Sequence, residues 1–88
     1  KHISIRVSGL VQGVFFRAST KEKADSLGIH GFVRNEPDGS VYIEAEGEDH
    51  SLTSFVDWCK RGPSRAEVKK CEVRDGEMKS YQRFVIER

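Results

Sequence analysis

Apolar residues in this chain recur at every second position, then at helical spacing, then at every second position again. The whole cycle repeats once within 88 residues, and few folds accommodate that order. Ile3, Ile5 and Val7 alternate with Ser4 and Arg6, so residues 3–7 form a strand with one buried face, closed by Ser8-Gly9. A glycine-punctuated loop follows. Phe16, Thr20, Ala24 and Leu27 then space a helix over residues 16–27, with Gly28 as its stop. Residues 29–35 predict a second strand and Pro37-Asp38-Gly39 a turn. Val41, Ile43 and Ala45, set against Tyr42, Glu44 and Glu46, predict a third strand that closes a hairpin with the second. Leu52, Phe55, Val56 and Cys59 make the buried stripe of a second helix, capped by Asp49 or Ser51 and ended by Gly62-Pro63. A fourth strand over 66–74 carries Val68, Cys71 and Val73. Its spacing slips at Lys69-Lys70, the mark of a bulge or a late start. Residues 83–87 alternate again, with Phe84 and Ile86 expected inward.

Strand, helix, strand, strand, helix, strand is the split βαβ order of a ferredoxin-like α+β sandwich. It predicts an antiparallel sheet with two helices on one face, plus a short C-terminal strand. Residues 1–88 are expected to be a single domain, since no repeat, linker or low-complexity segment interrupts them. Fifteen basic residues against fourteen acidic ones argue against a nucleic-acid partner, which calls for a basic excess. No apolar run approaches the ~20 residues of a membrane span, and no signal-peptide core is visible. The chain starts at Lys1 rather than Met, so a trimmed N-terminus stays open. Cys59 and Cys71 are too few for a disulfide framework and match no zinc spacing. They read as reduced thiols in a cytoplasmic protein. His2, His30 and His50 show no ligand spacing. His2 and His50, at element edges, are expected to be solvated, and Trp58 to pack against the second helix's stripe.

The informative segment is Gly9-Leu10-Val11-Gln12-Gly13-Val14-Phe15-Phe16-Arg17, which leaves a strand and enters a helix. Amides at a helix start are unpaired, and the helix dipole favours an anion there. Glycines let the backbone close around a phosphate, and an arginine in the first turn can fork onto two of its oxygens. The absence of Gly-Lys-Ser/Thr rules out a Walker nucleotide loop. Taken alone, the segment is equally compatible with an ordinary strand–helix connection bearing a surface arginine.

Two longer patterns bear on that choice. Val7-x-Gly9-x-Val11-Gln12-Gly13-Val14-x-Phe16-Arg17 resembles the first signature of the acylphosphatase family. Gly31-Phe32-Val33-Arg34-Asn35-x-x-x-Gly39-x-Val41, with Gly47 six positions on, resembles its second. Gly62-Pro63-x-x-Ala66-x-Val68 is similar to a further family feature. The resemblance covers essentially the whole chain. It implies that Arg17 binds the substrate phosphate together with main-chain amides of Gln12, Gly13, Val14, Phe15, Phe16 and Arg17. It implies that Asn35, through its side-chain amide, positions the attacking water. It further implies hydrolysis of a small-molecule acyl phosphate without metal or cofactor, with inorganic phosphate as product and competitive inhibitor. The chemistry agrees with so spare a site. The leaving carboxylate is a weak base with a pKa near ~4–5, so it needs no general acid, and phosphoryl transfer is mostly positioning and charge stabilisation.

Two other readings compete with a monomeric free-standing enzyme. One is a ferredoxin-like binding module for RNA or a small effector. Such a surface needs stacking aromatics and basic residues, whereas the open face offers Tyr42 beside Glu44 and Glu46. The other is a catalytically idle domain like the acylphosphatase-like portion of larger carbamoyl-phosphate-handling maturation enzymes. Against it stand the intact Arg17 and Asn35 and the expectation that 88 residues form a complete enzyme.

Overall fold

The elements follow the order of the hydrophobic periods in the computed structural model, which describes residues 1–87. They are β1 (His2–Leu10), α1 (Phe16–Ser26), β2 (His30–Asn35), β3 (Val41–Glu46), α2 (Asp49–Arg61), β4 (Glu67–Gly76) and β5 (Phe84–Ile86). The sheet order is β4-β1-β3-β2-β5, and β1 to β4 pair antiparallel as the ferredoxin-like pattern requires. The C-terminal strand differs. β5 lies parallel to β2, Gly31 facing Phe84 and Val33 facing Ile86, so the complete sheet is mixed. β5 runs antiparallel to β4 but lies at the opposite edge of the sheet, so residues 77–83 form a crossover from one edge to the other.

The alternating positions sort as their spacing predicts. Ile3, Ile5 and Val7 of β1, Val33 of β2, and Val41, Ile43 and Ala45 of β3 face the helices. There they meet Phe16 and Ala24 of α1 and Leu52, Phe55 and Cys59 of α2. Phe84 closes this core, its ring 6.0 Å from Phe55. Trp58 packs 5.6 Å from Phe16, the structural role expected of it. Lys69 is the extra residue of a bulge, because Ser8 faces Lys70 while Gly9 faces Val68. Gly9 has φ 125, and a Cβ there would collide with the Glu67 carbonyl, so the bulge requires glycine opposite it. β4 is an edge strand that α2 covers only in part. Hence Val68 and Cys71 are half-buried, and Val73, expected inward, is exposed. The cap of α2 is Glu48, without a side-chain bond, rather than Asp49 or Ser51. Asp49 instead sits in the first turn, where its charge complements the helix dipole.

The face opposite the helices departs most from expectation. His2 is 4% exposed, not solvated, because the 77–83 crossover covers it. Its Nδ1 lies 2.7 Å from Glu46 Oε2 and its Nε2 3.0 Å from Glu44 Oε1. Glu46, also 4% exposed, accepts from the amides of Lys79 at 2.6 Å and Tyr81 at 3.0 Å. Glu44 accepts from the Tyr81 hydroxyl at 2.9 Å and the Tyr42 hydroxyl at 2.8 Å. The two carboxylates are therefore the posts to which the crossover is tied.

These ties make stability depend on pH. Burial alone would raise both carboxyls. For Glu46 the amide of Lys79 and the ring of His2 outweigh it, and for Glu44 the hydroxyls of Tyr42 and Tyr81 do, so both are held below the usual carboxylate range. A depressed folded pKa contributes stability above the unfolded value, ~4.3 for glutamate, and that stability is lost as pH falls through the folded values. Thermal unfolding followed by circular dichroism is expected to show Tm falling as pH drops below about 4. Glu46→Ala, which strips the crossover amides of their acceptor, is expected to cost about 2 kcal/mol at neutral pH. In a domain of this size that is a Tm loss on the order of 10 °C. A variant with wild-type Tm and an unaltered acid limb would show that the crossover is held elsewhere.

Candidate active site

β1 ends at Leu10, and residues 11–15 carry the chain to α1. Val11 and Phe16 are buried and pin the two ends of this loop to the core. Between them Gly13 (φ 76) and Phe15 (φ 64) are left-handed. Nothing crowds a Cβ at Gly13, so glycine is required there by conformation alone. Phe15 is the N-cap of α1 yet makes no side-chain cap bond, and the first turn of α1 holds no acidic residue. Among the described residues, none of the turn, loop and cap hydrogen bonds is donated by an amide of residues 12–17. A helix start with neither a capping side chain nor an acid keeps its N–H groups and its dipole for an external anion.

Arg17 stands in this first turn, half-buried. Among the described residues no carboxylate forms an ion pair with it. Arg34 and Arg6, by contrast, are engaged. Arg34 pairs with Glu36 at 3.0 Å and Glu87 at 3.5 Å, and Arg6 lies 3.7 Å from Glu36 and 3.8 Å from Asp38.

Asn35 ends β2. Because β1 and β2 are each antiparallel to β3, they run in the same direction, and their C-terminal ends meet on one side of the sheet. The loop before Arg17 and the end of β2 are thereby brought together. The turn after Asn35 is braced from within: Glu36 N–H donates to the Ser40 carbonyl at 2.8 Å, and Asp38 Oδ1 accepts from the Ser40 amide and hydroxyl. It is also braced from the loop. Gln12 Nε2 donates to the carbonyls of Glu36 at 2.8 Å and Ser40 at 2.9 Å. The Gln12 side chain thus clamps the loop to the turn that follows Asn35. The sequence does not disclose this, since the acceptors are main-chain atoms 24 and 28 residues away.

Arg17 and Asn35 line one cleft of about 390 Å³, with Gly13, Phe15 and Phe16. Gln12 and Val14, the other two loop residues expected at the site, do not line it. Gln12 turns its side chain to the β2–β3 turn, and Val14 packs against the core. Among the described residues Arg17 is the one charged side chain that lines the cleft. Asn35 Oδ1 is buried, and among the described residues no protein group donates to it. Ile86, expected inward, is 37% exposed and forms part of the cleft wall, because it lies on the core side of β5 but beyond the last core layer. A protein-family model for acylphosphatase matches residues 3–86.

The chain belongs to the acylphosphatase family. An acylphosphatase of Marinobacter nauticus is 53% identical over 89% of this chain and 83% of its own length. The crystal structure of the Bacillus subtilis acylphosphatase superposes with a TM-score of 0.95 at 36% identity, covering 99% of this chain and 98% of that one. A structure of full-length HypF in a phosphate- and nucleotide-bound form matches with a TM-score of 0.87 at 32% identity, over 97% of this chain and 11% of HypF. The acylphosphatase signatures in β1, its loop and β2 are thus the segments that frame the cleft, and the chain is a hydrolase of this family.

Proposed function

We propose that the phosphate of an acyl phosphate binds where the loop amides and Arg17 converge, and that Asn35 orients the water that attacks it. The observation that carries this reading is the buried Asn35 Oδ1, which among the described residues has no protein donor, in the same cleft as an arginine that pairs with none of their carboxylates. An amide offers an acceptor and a donor on one rigid plane. Oδ1 accepts a hydrogen bond from the water and Nδ2 donates one to its oxygen, which leaves a lone pair directed at phosphorus. The water oxygen bonds to phosphorus, the bond from phosphorus to the acyl oxygen breaks, and its electron pair leaves with the carboxylate. The water's proton passes to phosphate or solvent. Arg17 and the amides stabilise the charge spread over the equatorial oxygens. No general acid is required, because the carboxylate leaves unprotonated.

Among the described residues no group of three or more His, Cys, Asp or Glu side chains is placed to hold a metal ion, which supports a metal-independent reaction. The family match over residues 3–86 supports a single domain over residues 1–88, which we read as a monomer. The free thiols of Cys59 and Cys71, both pushed up by burial, support a reducing cytoplasmic setting. Among the described residues no helix is long and apolar enough to cross a membrane. The acidic posts Glu44 and Glu46 on the open face, and the crossover tied to them, disfavour RNA.

Benzoyl phosphate turnover, followed by ultraviolet absorbance, is expected to proceed at the same rate before and after exhaustive chelation. A loss restored by magnesium would overturn the metal-free mechanism. Tight RNA binding without any turnover would replace the enzyme by a binding module.

A further inference from the structure

We infer that Phe15 and Ile86 form the subsite for the acyl group, and that the acyl group it takes is uncharged and apolar, of aryl or short branched-chain size. This rests on the catalytic reading above and narrows its substrate class. Phe15 is 72% exposed and held at φ 64, so the fold gains little packing from its ring and bears the strain of a bulky left-handed residue. Strain of that kind, maintained beside a site, points to a role for the side chain outside the fold. Phe15 lines the cleft with Ile86, the other large exposed apolar residue there, and with Ala18.

The cleft is thus polar where Arg17 and Asn35 lie and apolar elsewhere, matching a ligand with a phosphate at one end and hydrocarbon at the other. At about 390 Å³ it stands near the lower end of small-molecule sites, which run ~300–1,000 Å³. It suits a small acyl phosphate better than a nucleotide. It also disfavours acyl groups with a second anionic end. Arg17 is committed to the phosphate, and no other cation lines the cleft among the described residues.

Two variants test this. Phe15→Gly removes the ring, keeps the main-chain amide and suits φ 64. Ile86→Ser removes the other large exposed apolar side chain of the cleft. For each, kcat/KM is measured with benzoyl, acetyl and succinyl phosphate. The wild type is expected to prefer benzoyl over succinyl phosphate. Each variant is expected to lower the benzoyl-to-acetyl ratio about tenfold, within the ~10–200-fold that a small difference in an apolar pocket supplies. Taking the ratio within each variant removes the difference in leaving-group basicity between the substrates. A ratio within about twofold of wild type in both variants, or a wild type that prefers succinyl phosphate, would overturn the subsite while leaving the catalytic reading intact. A wild type that hydrolyses none of the three would overturn the catalytic reading, and the subsite with it.

Discussion

Arg17→Lys is expected to weaken inhibition by inorganic phosphate at least tenfold and to lower kcat/KM by about 10²–10³. The substitution keeps the charge but loses the planar fork that meets two phosphate oxygens at once. A hydrogen bond to a charged group contributes about 1.5–3 kcal/mol, so the loss of one arm already accounts for a tenfold change. Stability should hardly move, because no carboxylate among the described residues pairs with Arg17 and the first turn of α1 contains no acid. The measurements are the inhibition constant of phosphate, kcat/KM for benzoyl phosphate, and Tm. Wild-type phosphate inhibition in the variant would remove Arg17 from the cradle. A large Tm loss would mean that Arg17 is structural.

How much of this was legible in the sequence follows from the range over which each contact acts. The spacing of Phe16, Thr20 and Ala24, or of Ile3, Ile5 and Val7, is a local property and is read at once. Even the bulge at Lys69 shows as a slip in spacing between Val68 and Cys71. The juxtaposition of Arg17 and Asn35 is legible at one remove. Once β1 and β2 flank β3, their C-terminal ends must meet; Asn35 stands at one of them and Arg17 on the helix that the loop from the other enters. His2 was misread because its burial is decided by a segment more than seventy residues away. Nothing periodic in residues 77–83 shows that it crosses the sheet and binds Glu44 and Glu46. Ile86 has the expected parity but projects past the core into the cleft wall. Gln12 belongs to the loop, yet its acceptors are carbonyls, which every residue carries and no sequence distinguishes. Contacts made through main-chain atoms, or by irregular segments, are the ones that sequence patterns leave dark.

Asn35→Ala separates chemistry from folding more sharply than any other substitution in the cleft. If Asn35 were a structural cap of the β2–β3 turn, its side chain would be bonded to that turn, and removing it would lower Tm. The turn is held by other groups: Gln12 on the carbonyls of Glu36 and Ser40, Asp38 on Ser40, and Glu36 on Ser40 through the backbone. Among the described residues Asn35 Oδ1 takes part in none of this and bonds to no group of the turn. Alanine therefore removes no hydrogen bond that holds the turn and loses only a little packing, so Tm in the variant is expected to stay close to that of the wild type. Phosphate inhibition should stay within about threefold, since the cradle of amides and Arg17 is untouched. Turnover should fall by about 10²–10³ in kcat, because the attacking water loses the contact that orients it. Stability retained at the expense of activity is the signature of a residue kept for its chemistry. If Asn35→Ala instead unfolds at lower temperature and turns over at nearly the wild-type rate, Asn35 supports the turn, and the water must be oriented by another group.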